Sequence, residues 1–249
     1  MRTSNPALSE KTFRNLSTTG NEVMTVSGTV NKSFMLIALV MASAFWAWQN
    51  AYSGGWSADA MPTIPDWYWV AVIGTFVLSL VIIFKKDTAP YLAPVYAVGE
   101  GLALGALSAL FDYRYPGIAL QAVLCTAGVF LSLLMLYKTQ IIKATENFKL
   151  GVACATMGVL FVYIIDMILM FFGHNVPFIH DNGPMGIGVS AVIVVIAALN
   201  LVLDFDFIET AAEQRVPKYM EWYAAFGLLV TLVWLYLEIL RLLSKSRKR

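Results

Sequence analysis

Seven long apolar runs are the feature that most constrains what this chain can fold into. An α-helix needs about 20 apolar residues to cross a hydrocarbon core of about 30 Å, and none of the runs alternates as the strands of a membrane barrel would. The sequence therefore predicts an all-α membrane protein with seven transmembrane helices in a lipid bilayer. The runs extend from Ser33 to Tyr52, Trp67 to Phe84, Tyr91 to Phe111, Gly117 to Tyr137, Leu150 to Phe172, Met185 to Ile208, and Trp222 to Leu243.

The rest of the chain is short and polar. Only 13% of the residues are charged, against about 25% in soluble domains, and no linker divides the apolar part. Residues 1–30 are rich in Ser, Thr and Asn, which predicts a disordered amino-terminal tail. We expect one membrane domain over residues 31–244 and a basic tail over 245–249.

The positive charges are distributed unevenly between the predicted loops. If the spans alternate, Arg114 alone lies on one side, and the positive-inside rule places the amino terminus inside. The predicted location is the cell membrane, or the inner (cytoplasmic) membrane if the host is bacterial. Seven crossings would leave the basic tail outside, so either the tail is an exception to the rule or one segment is re-entrant. The basic residues on the inner side are Lys11, Arg14, Lys32, Lys85, Lys86, Lys138, Lys143, Lys149, Arg215 and Lys218.

Small residues predict where helices approach closely. Gly101 and Gly105 lie one helical turn apart in the third span, and such spacing lets two helix backbones touch in a membrane. A second group follows in the run 183–191. Cys125 and Cys154 lack metal-ligand spacing, so we expect them to be buried small hydrophobes.

Acidic residues inside the predicted spans are the strongest functional signal. A carboxylate at the centre of a span costs about 2.5 to 3.5 kcal/mol, so each acid must be neutral, paired or hydrated. Arg241 is the only basic residue clearly inside a span, so most of the acids cannot be paired with a basic residue there. The acids are Glu100, Asp166, Asp204, Asp206 and Glu238.

Helix periodicity separates the two aspartates of the sixth span. Asp204 shares a stripe with Asn200, four residues earlier, and we expect both to face the bundle interior. Asp206 points about 200° away from Asp204. We expect it to meet water, headgroups or a lysine such as Lys218 near the interface.

The depths of the acids suggest a pathway for cations or protons. At about 1.5 Å per residue, Asp204 lies about 6 Å from the inner end and Glu100 near mid-membrane, while Asp166 and Glu238 lie about 24 Å from the inner side. Burial disfavours the charged form, so such carboxylates can titrate near neutral pH. Structural roles are the alternative, and for Glu238 an intrahelical ion pair with Arg241 would suffice.

The sequence gives little support for metal binding or enzymatic chemistry. His174, His180 and Asp181 lie in one predicted outer loop, where their irregular spacing fits solvated turn residues better than a metal site. No nucleophile elbow, phosphate loop or metalloprotease motif occurs. We expect no enzymatic activity, no cofactor and no nucleic-acid partner, with Ca²⁺ or H⁺ present only as a transported ion.

Three segments resemble those of the Bax inhibitor-1 family, the transmembrane Bax-inhibitor-motif proteins, and most closely its bacterial branch. They are "EGLALGALSALF" in the third span, "ALNLVLDFDFIE" at the end of the sixth and "WLYLEILRLL" in the seventh. The resemblance implies seven helices with the last one central, and a pH-sensitive calcium leak governed by one aspartate in each of the last two helices. Asp204 matches the first aspartate. The second falls at Glu238 or at Thr231, depending on the alignment.

Two hypotheses for function follow. The first is a pH-sensitive cation (calcium) leak channel or proton-linked calcium pathway that uses Glu100, Asp204 and, with them, Asp166 and Glu238. The second is a non-conducting regulator of membrane stress, cell death or membrane proteolysis that acts through other membrane proteins. The resemblance permits both.

Overall fold

A computed structural model describes residues 23–51, 62, 64–174, 176, 179, 181 and 183–248. These residues form seven long helices and one short 3₁₀ turn, Lys86–Thr88, with no strand beyond an isolated bridge between Val23 and Pro217. Each helix is long and apolar enough to cross a membrane, which confirms the predicted fold. The helices are α1 (Val26–Ala51), α2 (Trp67–Phe84), α3 (Ala89–Arg114), α4 (Ile118–Lys138), α5 (Glu146–Phe171), α6 (Pro184–Glu213) and α7 (Met220–Arg247).

Several helices extend beyond the apolar runs that predicted them. α1 begins at Val26, inside the segment predicted to be disordered, and residues 1–22 of that segment lie outside the described residues. α6 continues to Glu213, past the predicted end at Ile208, and α7 continues to Arg247, into the predicted tail. Hydropathy marks only the part of a helix that needs an apolar environment, whereas polar residues continue a helix readily in water.

The helices differ strongly in burial. Within the most apolar window of each, 61% of α7 and 50% of α6 is buried, against 11% of α2 and 17% of both α4 and α5. α7 has the largest buried share of the seven helices. Large apolar side chains of the less buried helices, such as Phe76, Leu131 and Phe161, are exposed, as expected of a surface that faces lipid.

Both cysteines contradict their prediction. Cys125 and Cys154 are exposed rather than buried. In a chain that spans a membrane, an exposed helix face meets hydrocarbon, so a small apolar side chain is tolerated there without protein contacts. Residue type alone therefore could not place the two thiols inside the protein.

The chain forms two compact units, and α6 and α7 contribute to both. The amino-terminal unit contains the described residues of Asn15–Ala119 and of Ile208–Leu229. The carboxy-terminal unit contains those of Leu120–Phe207 and of Val230–Arg249.

Contacts between helix ends relate several helices within each unit. In the amino-terminal unit, Met24 N donates to Val216 O at 2.8 Å, which joins the start of α1 to the α6–α7 connection. In the carboxy-terminal unit, the end of α6 contacts the start of α5 through Asp206 and Lys149, whereas the start of α6 contacts the end of α7 through Ser190 and Lys245. In the carboxy-terminal unit, α6 therefore runs antiparallel to both α5 and α7. The orientation of the chain in the membrane stays a prediction.

The predicted close approach of α3 to another helix is confirmed in the amino-terminal unit. A Cβ atom added at Gly101 would collide with Ser43 Oγ and the Val40 carbonyl, and one added at Gly105 would collide with the Ala44 carbonyl. The partner is therefore α1, whose backbone lies against this glycine face. In lipid, such backbone contact supplies much of the energy of helix association.

We expect Gly105→Val to destabilise the protein by about 3 kcal/mol or more, because the rigid Ala44 backbone cannot move aside without separating α1 from α3. The melting temperature in detergent measures this loss. Gly128→Val in α4 is the matched control, since nothing lies within 4 Å of a Cβ at that glycine. Equal melting temperatures for the two variants would contradict the expected collision.

Candidate functional site

Asp204 and Asn200 lie one turn apart on α6 in the carboxy-terminal unit, and both are buried. Asp204 has no exposed surface, and Asn200 is 3% exposed. Asn200 Nδ2 donates to Thr156 Oγ1 of α5 and to the Ile196 carbonyl, each at 2.8 Å. The stripe predicted from the sequence therefore does face the protein interior.

Asp204 precedes the end of α6 at Glu213 by nine residues, which corresponds to about 14 Å along the helix. The depth of about 6 Å was counted from the end of the apolar run at Ile208, and it stays a prediction. A carboxylate with no exposed surface is costly when charged, so it either exchanges a proton or holds a positive partner.

Glu238 is held by a cluster of donors in the same unit. Its carboxylate, 2% exposed, accepts from Arg241 Nη1 at 3.1 Å, from the Tyr163 hydroxyl at 2.7 Å and from Trp234 Nε1 at 3.2 Å. The Arg241 guanidinium also stacks over the Tyr163 ring, 5.2 Å from its centroid. The intrahelical ion pair considered from the sequence is confirmed, and α5 completes it through Tyr163.

Helix heights distinguish the two candidates for the second aspartate position. α6 and α7 are joined by a short connection and so run antiparallel, which means that equal distances from that connection indicate equal height. Thr231 lies 11 residues into α7 and Glu238 lies 18 residues into it, or about 16 and about 27 Å. Thr231, which is buried, matches the height of Asp204 better. A neutral hydroxyl therefore occupies the level where the resemblance implies a second acid.

Asp166 anchors the connection between α5 and α6. It is buried near the end of α5 and accepts a hydrogen bond from the backbone N–H of Val176 at 3.0 Å. A carboxylate that accepts from backbone N–H groups fixes a loop at little cost in buried charge. This contact gives Asp166 a structural role.

Asp206 is bound by a lysine, although not by the one suggested from the sequence. Its carboxylate lies 2.7 Å from Lys149 Nζ, and Glu146 lies 3.4 Å from the same ammonium group. The sequence assigned Lys149 to a loop, whereas α5 begins at Glu146 and carries Lys149 in its first turn. Its position there lets Lys149 reach Asp206 on α6, so the expected lysine contact is made by a residue of α5.

Glu100 lies in the amino-terminal unit, near the middle of α3. Its half-buried carboxyl is hydrogen-bonded to the hydroxyl groups of Tyr96, one turn earlier, and Thr75 on α2. Close packing at Gly99 brings α2 to this point, because a Cβ there would collide with the Thr75 methyl group. The coupling of Glu100 to Asp204 stays a prediction, since the two acids belong to different units.

The sequence did not predict the burial of two further charged residues, Glu221 and Lys245. Glu221, 2% exposed, accepts from Thr25 N and Thr25 Oγ1, each at 3.0 Å, and pairs with Lys32. Lys245, 5% exposed, donates to the Ile179 carbonyl at 2.6 Å, the Gly186 carbonyl at 3.2 Å and Ser190 Oγ at 2.8 Å. Both lie near ends of α7, and Lys245 falls in the segment that the sequence predicted to be a basic tail.

We expect Glu221→Gln to cost about 2 kcal/mol of stability, because Lys32 and Thr25 lose a charged acceptor that is almost fully buried. The melting temperature in detergent measures this cost. Glu213→Gln, an exposed change of the same charge at the end of α6, should leave the melting temperature unchanged. A drop of similar size in both variants would show that the Glu221 contacts contribute little.

The predicted loop histidines show no assembled metal site. His174 and Asp181 are exposed, and His180 lies outside the described residues. Over the described ranges, no group of three or more His, Cys, Asp or Glu side chains is arranged to hold a metal ion.

Comparison with known proteins identifies the family. A sequence model of the family described as Bax inhibitor 1 like matches residues 5–248, which is nearly the whole chain. Searches among curated proteins and among solved structures found no match. The seven apolar helices establish a multi-pass membrane protein, and the match confirms the resemblance that the third, sixth and seventh spans suggested. The chain belongs to the Bax inhibitor 1 like family.

Proposed function

We propose that this protein is a pH-sensitive cation leak, with calcium as the ion, or a proton-linked calcium pathway. The observation that carries the proposal is the complete burial of Asp204 within an apolar transmembrane helix. An ionisable residue placed there is expensive to keep and therefore points to ion or proton handling. The proposal assigns no enzymatic reaction and no resident cofactor to the chain.

The chemistry of the proposed site suits hard cations and protons. Ca²⁺ prefers carboxylate, carbonyl and amide oxygens, and Asp204 with the Asn200 amide supplies two of these ligand types one turn apart. Protonation of Asp204 would remove its charge and with it the attraction for a divalent ion. A single carboxylate can therefore both attract the ion and sense pH.

The other acids enter the proposal with different roles. Glu100, hydrogen-bonded by two hydroxyl groups, is the proposed second acid of the pathway, at the middle of α3. Glu238 and Asp166 hold their own protein partners, so they contribute to conduction only when those partners release them. We propose that the Arg241 guanidinium acts as a tethered cation that keeps Glu238 closed to external ions.

The test is calcium flux into liposomes that contain the purified protein, at pH 6 and at pH 8. The proposal requires flux that depends on pH and that changes when Asp204 or Glu100 loses its charge. Flux that is absent, or indifferent to pH and to both substitutions, would eliminate it. We further propose a cell-membrane location with the amino terminus inside, which accessibility labelling of Lys143 in intact cells would test.

A non-conducting regulator is the second candidate. The observation in its favour is that several acids already hold protein donors, among them Asp166, Asp206, Glu221 and Glu238. Acids satisfied in this way stabilise a helix bundle without moving ions. A protein that conducts nothing in liposomes but still binds other membrane proteins in its native membrane would favour this candidate.

A further inference from the structure

A cleft of about 460 Å³ opens on the amino-terminal unit where α1 and α7 begin. It lies beside the Val23–Pro217 bridge, at the boundary between apolar helix and polar connection. Its walls combine two lysines, polar groups and apolar side chains, a mixture that suits an amphipathic ligand. The lining residues used below are Thr25, Asn31, Lys32, Met35, Lys218 and Trp222.

The cleft presents ammonium groups rather than carboxylate. Glu221 also borders it but is only 2% exposed and already accepts from Thr25 and Lys32. An ammonium group has three N–H donors, so the contact with Glu221 leaves Lys32 able to bind a second anion. Lys218 also lines the cleft, so two lysines outnumber one carboxylate and the net charge of the cleft is positive.

The indole ring of Trp222 lies next to the Lys32 ammonium group. Lys32 Nζ lies 5.6 Å from the centroid of the Trp222 ring. Tryptophan next to lysine at the end of a membrane-spanning helix is typical of the headgroup level of a bilayer. A ligand bound in the cleft would therefore lie at the height of lipid headgroups.

An apolar stripe continues from the cleft along α1. Met35, which lines the cleft, is 52% exposed, and Leu39, Ala42 and Trp46 continue the same helix face, where Trp46 is also 52% exposed. These residues recur at three- to four-residue spacing and so form one continuous surface. A free phosphate ion would make no apolar contacts with this surface, whereas an acyl chain would pack along it.

We propose that this cleft binds the headgroup of an anionic phospholipid. Lys32 and Lys218 contact the phosphate, Asn31 and Thr25 offer polar contacts at its edge, and one acyl chain lies along the exposed stripe of α1. The binding site stands on the cleft, its charge and this stripe, and it does not depend on whether the protein conducts ions.

Native mass spectrometry of the intact protein in detergent, titrated with phosphatidylglycerol or phosphatidylcholine, tests the proposal. A lysine near an anionic lipid contributes about 1 kcal/mol, or about fivefold in affinity. We expect Lys218→Gln to weaken phosphatidylglycerol binding by about that factor. Lys143→Gln, which removes an exposed lysine from the α4–α5 connection, should leave binding unchanged.

A second variant separates the cleft from general attraction to positive charge. Asn31→Trp fills the cleft and keeps every charge, so we expect it to remove the preference for phosphatidylglycerol over phosphatidylcholine. Inorganic phosphate at millimolar concentration should not displace the lipid if the acyl chain contributes. Equal binding of both lipids by the parent, no effect of Asn31→Trp, or equal losses in the Lys218 and Lys143 variants would each overturn the proposal, and displacement by phosphate would show that a free anion is the ligand.

Discussion

Asp204→Asn is expected to abolish the pH dependence of calcium flux in liposomes. Asparagine has nearly the shape of a protonated aspartic acid, and its charge cannot change with pH. The variant at pH 8 should therefore behave like the parent at pH 6. A titrating carboxyl group changes its charged-to-neutral ratio about tenfold per pH unit, so the ratio of the two parental rates should exceed about threefold, and in the variant it should fall close to one.

Two further variants make this result specific. Glu100→Gln should also reduce the pH dependence if α3 contributes the second acid. Glu213→Gln removes an exposed acid from the end of α6 and should leave the flux and its pH dependence as in the parent. A parental pH profile retained in Asp204→Asn would contradict the role given to this aspartate, even if the absolute rate fell.

Arg241→Leu is expected to give the largest loss of stability among the charge variants. The change leaves the buried Glu238 carboxylate with only Tyr163 and Trp234 as donors. Removing one partner of a fully buried ion pair costs about 3 to 5 kcal/mol. The Arg241 side chain is 40% exposed, and solvent screens the pair, so we expect about 2 to 4 kcal/mol. Reversible unfolding in mixed micelles measures the difference.

A double variant tests the cause of this loss. Glu238→Gln combined with Arg241→Leu should recover most of the stability, because no buried charge remains. Arg247→Leu, an exposed change on the same helix, should cost less than about 1 kcal/mol. A deficit that the double variant does not relieve would contradict this explanation.

The buried stripe of α6 shows which features of the candidate site helix periodicity can predict. The four-residue spacing of Asn200 and Asp204 places both side chains on one helix face. Polar groups lose their hydration when they face lipid, and this free-energy cost turns that face toward the protein interior. The same argument separates Asp206 from Asp204. It could not identify the lysine that binds Asp206, because that depends on where α5 begins and on the height at which Lys149 meets α6.

Glu221 and Lys245 were missed for a related reason. Each lies close to an end of α7, where a charged residue costs little and usually meets water. Their burial arises from distant segments: the start of α1 covers Glu221, and the α5–α6 connection with the start of α6 covers Lys245. No local pattern in α7 contains those contacts.

The sequence by itself determined the seven membrane-spanning helices, the glycine face of α3 and the family, because hydrophobic length, small-residue spacing and motif are local properties of the chain. Only the tertiary structure decided the partners of the buried charges. It pairs Glu238 with Tyr163, Glu221 with Thr25 and Lys32, and Asp206 with Lys149. Such pairs form between residues far apart in the chain, and their selection depends on helix heights and rotations that packing fixes.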